Sequence, residues 1–222
     1  MRSPADPKKS SNSPEKPVDL RPYLGPPNPL LVVLSSPSGA GKDTVIKAMR
    51  ELNCQFHLLV TATTRKPRPG EVNGVDYLFV SEQEFEDMIR KGHLLEHALV
   101  YDEHKGIPRD QVRSALAANR DVIMRIDVQG AAAVRRIAPD AILIFLLADS
   151  EEEFIARLLE RGTETGEDLQ RRIAEMHEEM KHIPEFDYVV VNRNGDPTQA
   201  ARKIIAILTA EKCRTKQRTV AL

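Results

Sequence analysis

The chain of 222 residues is 41% apolar and sets 32 Lys and Arg against 33 Asp and Glu, which is enough to enclose one well-packed domain and too evenly charged for general nucleic-acid binding. Its two cysteines, Cys54 and Cys213, stand far apart without metal-ligand spacing, which argues against a disulfide scaffold and suits a reducing cytosol. No apolar run approaches the roughly 20 residues of a membrane span, and no apolar core follows Met1, so a cytoplasmic protein with neither membrane nor nucleic acid as partner is expected.

Pro4, Pro7, Pro14, Pro17, Pro22, Pro26 and Pro27 alternate with Ser, Lys and Asp in the first stretch, leaving little to bury. Residues 1–28 are therefore read as a disordered, solvated tail. One domain is expected over residues 29–211, followed by a polar, basic tail over 212–222. Within the domain, Leu30-Leu31-Val32-Val33-Leu34 reads as a strand and Val45-Ile46-Lys47-Ala48-Met49 as part of a helix starting near Lys42. Further strands are expected over 56–60, 95–100, 122–126, 141–147 and 188–191. Helices are expected over 81–91, 109–118, 131–137, 151–161, 167–181 and 197–208. Ser81 with Glu84 and Ser150 with Glu153 have capping-box spacing at two of these starts. The run Ala141 to Leu147 is apolar throughout, as a parallel strand covered on both faces should be. The alternation predicts a three-layer α/β domain with a central parallel sheet.

The first strand empties into Ser36-Pro37-Ser38-Gly39-Ala40-Gly41-Lys42-Asp43-Thr44, a close match to the glycine loop that cradles a nucleoside triphosphate. Gly39 and Gly41 remove the Cβ atoms that would hold polyphosphate off the backbone, so successive N–H groups can turn toward anionic oxygens. The following helix adds its positive end, and Lys42 can reach the β and γ phosphates. Ser36 replaces the first glycine of the pattern, and Asp43 stands where a hydroxyl for Mg2+ is expected. Two readings of Asp43 stay open: a carboxylate that binds Mg2+ directly or through water, or a helix-starting acid with Thr44 supplying the hydroxyl. Asp127, at the end of the strand Val122 to Ile126, is a further candidate for Mg2+ or its water shell.

Residues 61–79 gather hydroxyls, cations and turn formers: Pro67, Pro69, Gly70 and Asn73-Gly74 prevent a helix and favour rigid turns. Arg65 and Arg68 are thereby held on a shaped loop, where guanidinium forks can grip a second phosphate. Between Arg157 and Arg172, the segment Gly162 to Gly166 separates two helices, the arrangement of a mobile lid with Arg161 at its edge.

With these residues in place, the chain from about Leu30 to Glu211 resembles the guanylate kinase family of P-loop nucleoside monophosphate kinases. SSPSGAGKDT resembles its P-loop, TATTRKPRPGEVNGVDYLFV its GMP-binding signature, and RIDVQG, RLLERGTET and VVVN its later motifs. The resemblance implies a P-loop kinase fold with a GMP-binding insertion at 62–108 and a short lid at 161–172. It implies ATP and GMP as substrates, Mg2+ as cofactor, and a monomer or homodimer. ATP would be held by residues 36–44 with Arg157 and Asn192; Arg65, Arg68 and Tyr77 would bind the GMP phosphate, and Thr61 and Glu96 the guanine. Glu96 suits that task, since one carboxylate can accept from both the ring N–H and the exocyclic amine of guanine. Arg161 and Arg172 would meet the phosphates in the closed state.

The sequence departs from the family at three points. Lys105 and Ile107 stand in Glu103-His104-Lys105-Gly106-Ile107-Pro108, where the family has Tyr-Tyr-Gly and a hydroxyl residue; Lys105 can meet the GMP phosphate as a point charge, whereas the Ile107 side chain has nothing to donate. Arg125 replaces the first acid of Asp-Ile-Asp, and Asp43 is read as restoring a carboxylate near the metal. Two other functions fit parts of the pattern: an inactive module that binds a phosphorylated partner, and a kinase for another small phosphorylated acceptor.

Overall fold

A computed structural model describes Leu20 and residues 24–222, except 38, 69, 101–102, 161–165 and 194–195. Most of the expected N-terminal tail, Ser38, Arg161 and the first half of the expected lid lie outside the described residues. The chain runs β1 (Leu31–Ser35), α1 (Lys42–Glu51), β2 (His57–Leu58), β3 (Ala62–Thr63), β4 (Leu78–Phe79), α2 (Glu82–Arg90), β5 (Leu94–Val100) and β6 (Glu103–Pro108). It continues with α3 (Arg109–Ala117), β7 (Val122–Arg125), α4 (Val128–Ile137), β8 (Ile142–Ala148), α5 (Glu151–Glu160), α6 (Gly166–Met180), β9 (Tyr188–Asn192) and α7 (Pro197–Lys212).

Five strands form the expected parallel sheet in the order β2-β7-β1-β8-β9. Because side chains alternate along a strand, β1 feeds two cores. Val32 and Leu34 join Val45 and Met49 of α1 and Ile204 and Leu208 of α7 on one face. Leu31 and Val33 join Val112 of α3 and Ala131 and Val134 of α4 on the other. Helices on both faces of a parallel sheet direct ligands to the carboxyl ends of the strands, where β1 gives way to the glycine loop and β7 ends at Arg125.

The second sheet was not foreseen as a sheet. It has the order β4-β3-β6-β5, with β6 antiparallel to both β3 and β5. The strand expected over 56–60 is shortened to β2 and ended by a side chain: Gln111 accepts from Val60 N–H at 3.1 Å and donates to Val60 O at 3.2 Å. That amide takes the place of the next rung, and the chain crosses over to become β3. β6 escapes sequence reading because Gly106 and Pro108 disfavour a strand. Gly106 is nonetheless required, since a Cβ there would meet Leu94 Cδ1 at 2.8 Å and Glu96 O at 3.1 Å.

Local signals set several boundaries. Ser81 and Glu84 form the complete capping box of α2, and Ser150 Oγ accepts from Glu153 N–H at the start of α5. Asp127 caps α4, accepting from Gly130 N–H at 2.8 Å, so this helix begins three residues before the expected start. Beyond α7 the last residues turn back along the body. Arg218 Nε donates to the buried Glu211 at 2.7 Å, Asn28 N–H donates to Gln217 at 2.7 Å, and Val220 and Leu222 pack on the α3–α4 core.

Candidate active site

The loop between β1 and α1 has the backbone that its glycines permit. Gly39 and Gly41 lie at φ 104° and 91°, left-handed values that side chains resist. Lys42 folds over the loop and donates to Ser36 O at 2.8 Å and Ser36 Oγ at 2.6 Å. Burial pulls its ammonium below the ordinary lysine range, while Glu179, Asp43 and Asp127 oppose the shift. Asp43 and Thr44 are exposed at the start of α1.

Arg157 and Asn192, expected near the adenine nucleotide, brace this loop from behind. Arg157 donates to Ala40 O at 3.1 Å and to Asn192 O at 3.0 Å, and pairs with Glu153. Asn192 Nδ2 donates to Ala40 O at 2.9 Å. A Cβ on Gly41 would come within 2.5 Å of Asn192 Nδ2, so the second glycine is needed both for its φ and for this contact.

The acceptor side is built on residues 61–79 and the second sheet. Arg65 is clamped: Glu71 pairs with it at 2.7 Å, Lys66 O accepts at 2.8 Å, and the rings of Tyr77 and Phe79 lie 5.1 and 5.5 Å away. Glu71 also accepts from Arg68 N–H at 2.7 Å, so one acid shapes the loop that carries both arginines. Its carboxyl is held below the ordinary range, first by the Arg65 hydrogen bond. Asn73 closes the adjoining turn by accepting from Phe79 N–H at 2.9 Å. Thr61 is buried at the entry to β3, its carbonyl accepting from Leu78 N–H at 2.9 Å.

Glu96, on β5, is 6% exposed, and its Oε2 has no hydrogen-bond partner. Burial, reinforced by Asp127, pushes its carboxyl up to about 8. An unsatisfied buried acid signals a missing partner. Lys105 is a half-buried β6 lysine whose pKa burial lowers, with Asp127, Glu103, Arg65 and Arg68 in its field. Ile107 is fully buried, its side chain in the α3–α4 core, so its chemistry there is packing.

Arg172 is half-buried on α6, and the spacing of 172, 175 and 179 puts Glu175 and Glu179 on the same helix face. The sequence reading missed these acids and Glu71. Burial raises the Glu179 carboxyl to about 7, with Lys42 pulling it down and Asp127 and Glu175 pushing it up. The spacing of the acids was legible, but their orientation depended on how α6 packs. Arg125 and Asp43, read as compensating departures that keep one carboxylate near the metal, instead form an ion pair with each other.

Among the described residues no group of three or more His, Cys, Asp or Glu side chains could hold a metal. Mg2+ beside a nucleotide needs only one or two protein oxygens, the remainder coming from phosphate and water, and Thr44 and Asp127 offer hard oxygen donors of that kind. Asp43 is already engaged by Arg125.

A glycine loop on the central strand with its lysine folded over it, and a second loop with a clamped arginine, are the parts of a P-loop kinase that acts on a small phosphorylated acceptor. The guanylate kinase family model matches residues 28–210. Guanylate kinase 2, chloroplastic/mitochondrial, of Oryza sativa subsp. japonica is 48% identical over 200 residues, covering 90% of this chain and 70% of that protein. The guanylate kinase of Caldanaerobacter subterraneus subsp. tengcongensis is 44% identical over 185 residues, covering 83% and 89%. The crystal structure of guanylate kinase from Anaplasma phagocytophilum superposes with a TM-score of 0.71 at 30% identity, covering 86% of this chain and 89% of that one. The chain belongs to the guanylate kinase family, the ATP:GMP phosphotransferases among nucleoside monophosphate kinases.

Proposed function

We propose that this site transfers the γ-phosphoryl group of ATP to GMP, giving ADP and GDP, with Mg2+ as companion of the donor. The observation that carries this reading is the buried carboxylate of Glu96, whose Oε2 has no hydrogen-bond partner. It lies beside the start of α4, where a Cβ on Gly130 would meet it at 3.1 Å and where Gly130 N–H donates to Asp127 at 2.8 Å, which supports an acceptor base held next to the end of β7.

The chemistry needs no strong general base. A phosphate monoester has its second pKa near 6 and is already largely ionised at neutral pH. The obstacle is repulsion between two anions. Lys42 and the loop N–H groups hold the donor, Arg65 and Arg68 hold the acceptor phosphate with Tyr77 and Lys105 beside it, and Arg161 and Arg172 close over the equatorial oxygens. Glu96 and Thr61 orient guanine, and the pair of held substrates gains in-line alignment. Thr44 and Asp127 would hold Mg2+, which when bound neutralises charge on the donor phosphates. The site must also exclude water, which would otherwise take the phosphoryl group.

Cys54 and Cys213 are both free, which supports a reducing, cytoplasmic setting. Among the described residues no helix is long and apolar enough to cross a membrane. The near-neutral charge of -1 supports small-molecule rather than nucleic-acid partners, and the chemistry needs no residue from a second copy, so a monomer or a homodimer would serve. A module that only binds a phosphorylated partner would have no use for a lysine folded over a glycine loop. Replacing Lys42 with Ala should lower turnover by at least about a thousandfold while the thermal unfolding temperature stays within a few degrees. Near-normal turnover in that variant would sink the donor-site assignment.

A further inference from the structure

Arg125 lies at the carboxyl end of β7, between the donor and acceptor loops, and touches both. One guanidinium nitrogen pairs with Asp43 in the first turn of α1, immediately after Lys42. The other donates to the carbonyl of Asp76 at 3.2 Å, in the turn that leads into Tyr77. The guanidinium carbon also sits 5.5 Å from the Tyr77 ring, which Arg65 approaches at 5.1 Å. The Arg125 side chain is 15% exposed and Asp43 is 73% exposed, so the arginine is built in and the aspartate reaches over to it. Arg125 Nε is buried without a hydrogen-bond partner.

We propose that Arg125, with Asp43 as its counter-ion, is a positioning residue that ties the acceptor loop to the phosphate loop, so that either substrate pre-orders the site for the other. The proposal rests on the assignment of GMP to the loop of Arg65 and Tyr77. Three contacts on one planar fork make the link geometric as well as electrostatic, which a lysine cannot reproduce. Asp43 thereby belongs to the arginine rather than to the metal, and the two departures at positions 43 and 125 explain each other. Asp43 anchors the fork, Asp76 O fixes its plane, and Tyr77 has both guanidinium groups within 5.5 Å of its ring centroid.

The test is calorimetric titration of GMP into the full chain without ATP or Mg2+, for the parent, Arg125→Gln, Arg125→Lys, Asp43→Ser and the Asp43→Ser/Arg125→Gln double variant. Arg125→Gln should weaken GMP binding by about tenfold or more, and Arg125→Lys should fall between it and the parent. Asp43→Ser should weaken GMP binding by about threefold or more, although Asp43 belongs to the phosphate-loop helix. The double variant should bind no more weakly than Arg125→Gln, because paired residues lose one shared interaction. A GMP affinity within twofold of the parent for Asp43→Ser, or losses that multiply in the double variant, would overturn the proposal. So would an Asp43→Ser effect confined to the Mg2+ requirement of the kinase assay. Failure of the parent itself to bind GMP would instead refute the acceptor-site assignment, and the link with it.

Discussion

Replacing Glu96 with Gln separates the stability of this protein from its choice of base. The side chain is 6% exposed, its Oε2 lacks a partner, and its carboxyl is pushed from an ordinary 4.5 to about 8 by burial and Asp127. The folded protein thus holds the proton more tightly than the unfolded chain does. The stabilisation from keeping this acid neutral is complete below about pH 4.5 and is lost as pH rises through about 8. At about 1.4 kcal/mol per pH unit across that window the ceiling is about 5 kcal/mol, and the high effective dielectric of real buried sites brings it nearer to about 2 kcal/mol. Glutamine has nearly the same shape and no charge to bury. Urea denaturation should find Glu96→Gln and the parent equally stable at pH 5, and the variant more stable by about 2 kcal/mol at pH 9. The amide also turns a donor toward the guanine N–H groups, so the KM for GMP should rise by at least about a hundredfold. A parent stability that is flat between pH 5 and pH 9, or a variant that keeps its GMP KM, would refute this account of Glu96.

Two further changes probe the frame around the site. Gly41→Ala places a Cβ 2.5 Å from Asn192 Nδ2 at a φ of 91°, so the KM for ATP should rise at least about tenfold while the fold survives; an unchanged KM would show that the brace behind the loop is dispensable. Arg218→Ala leaves the 2% exposed Glu211 with only Tyr188 and the more exposed Arg214, which should cost about 2–3 kcal/mol in chemical denaturation at pH 7. The Arg218 hydrogen bond holds the Glu211 carboxyl below its ordinary 4.5, so this contribution is present above that pH and fades as pH falls below it. The stability gap between parent and Arg218→Ala should therefore narrow as the medium is acidified, and a gap that stays constant or widens would contradict the pairing.

The central sheet was legible because its strands are continuous apolar runs, and β1, β7, β8 and β9 fall within a residue of their expected bounds. The glycine loop was legible because its chemistry is written in consecutive residues. Of the second sheet only β5 was legible, within a residue of its expected start. The rest was hidden because its strands are short and its pairing is long-range: β3 and β4 have only two residues each, and β6 contains a glycine and a proline whose surroundings alone explain them. The same reason hid Glu71, Glu175 and Glu179, whose roles depend on which way a loop or helix turns. Asp43 and Arg125, 82 positions apart, are linked in the sequence only by a count of acids. The fold, which brings the start of α1 to the end of β7, shows them in direct contact with each other.

The most direct test of the kinase reading is coupled ADP formation from ATP and Mg2+ with GMP, AMP, CMP or UMP supplied one at a time. Rapid turnover with GMP and little with the others is the predicted result, with Glu96 and Thr61 sufficient for base choice while Ile107 stays in the core. Comparable rates with several acceptors would contradict the assignment of Glu96 as the base reader, and no turnover with any of them would contradict the kinase reading itself.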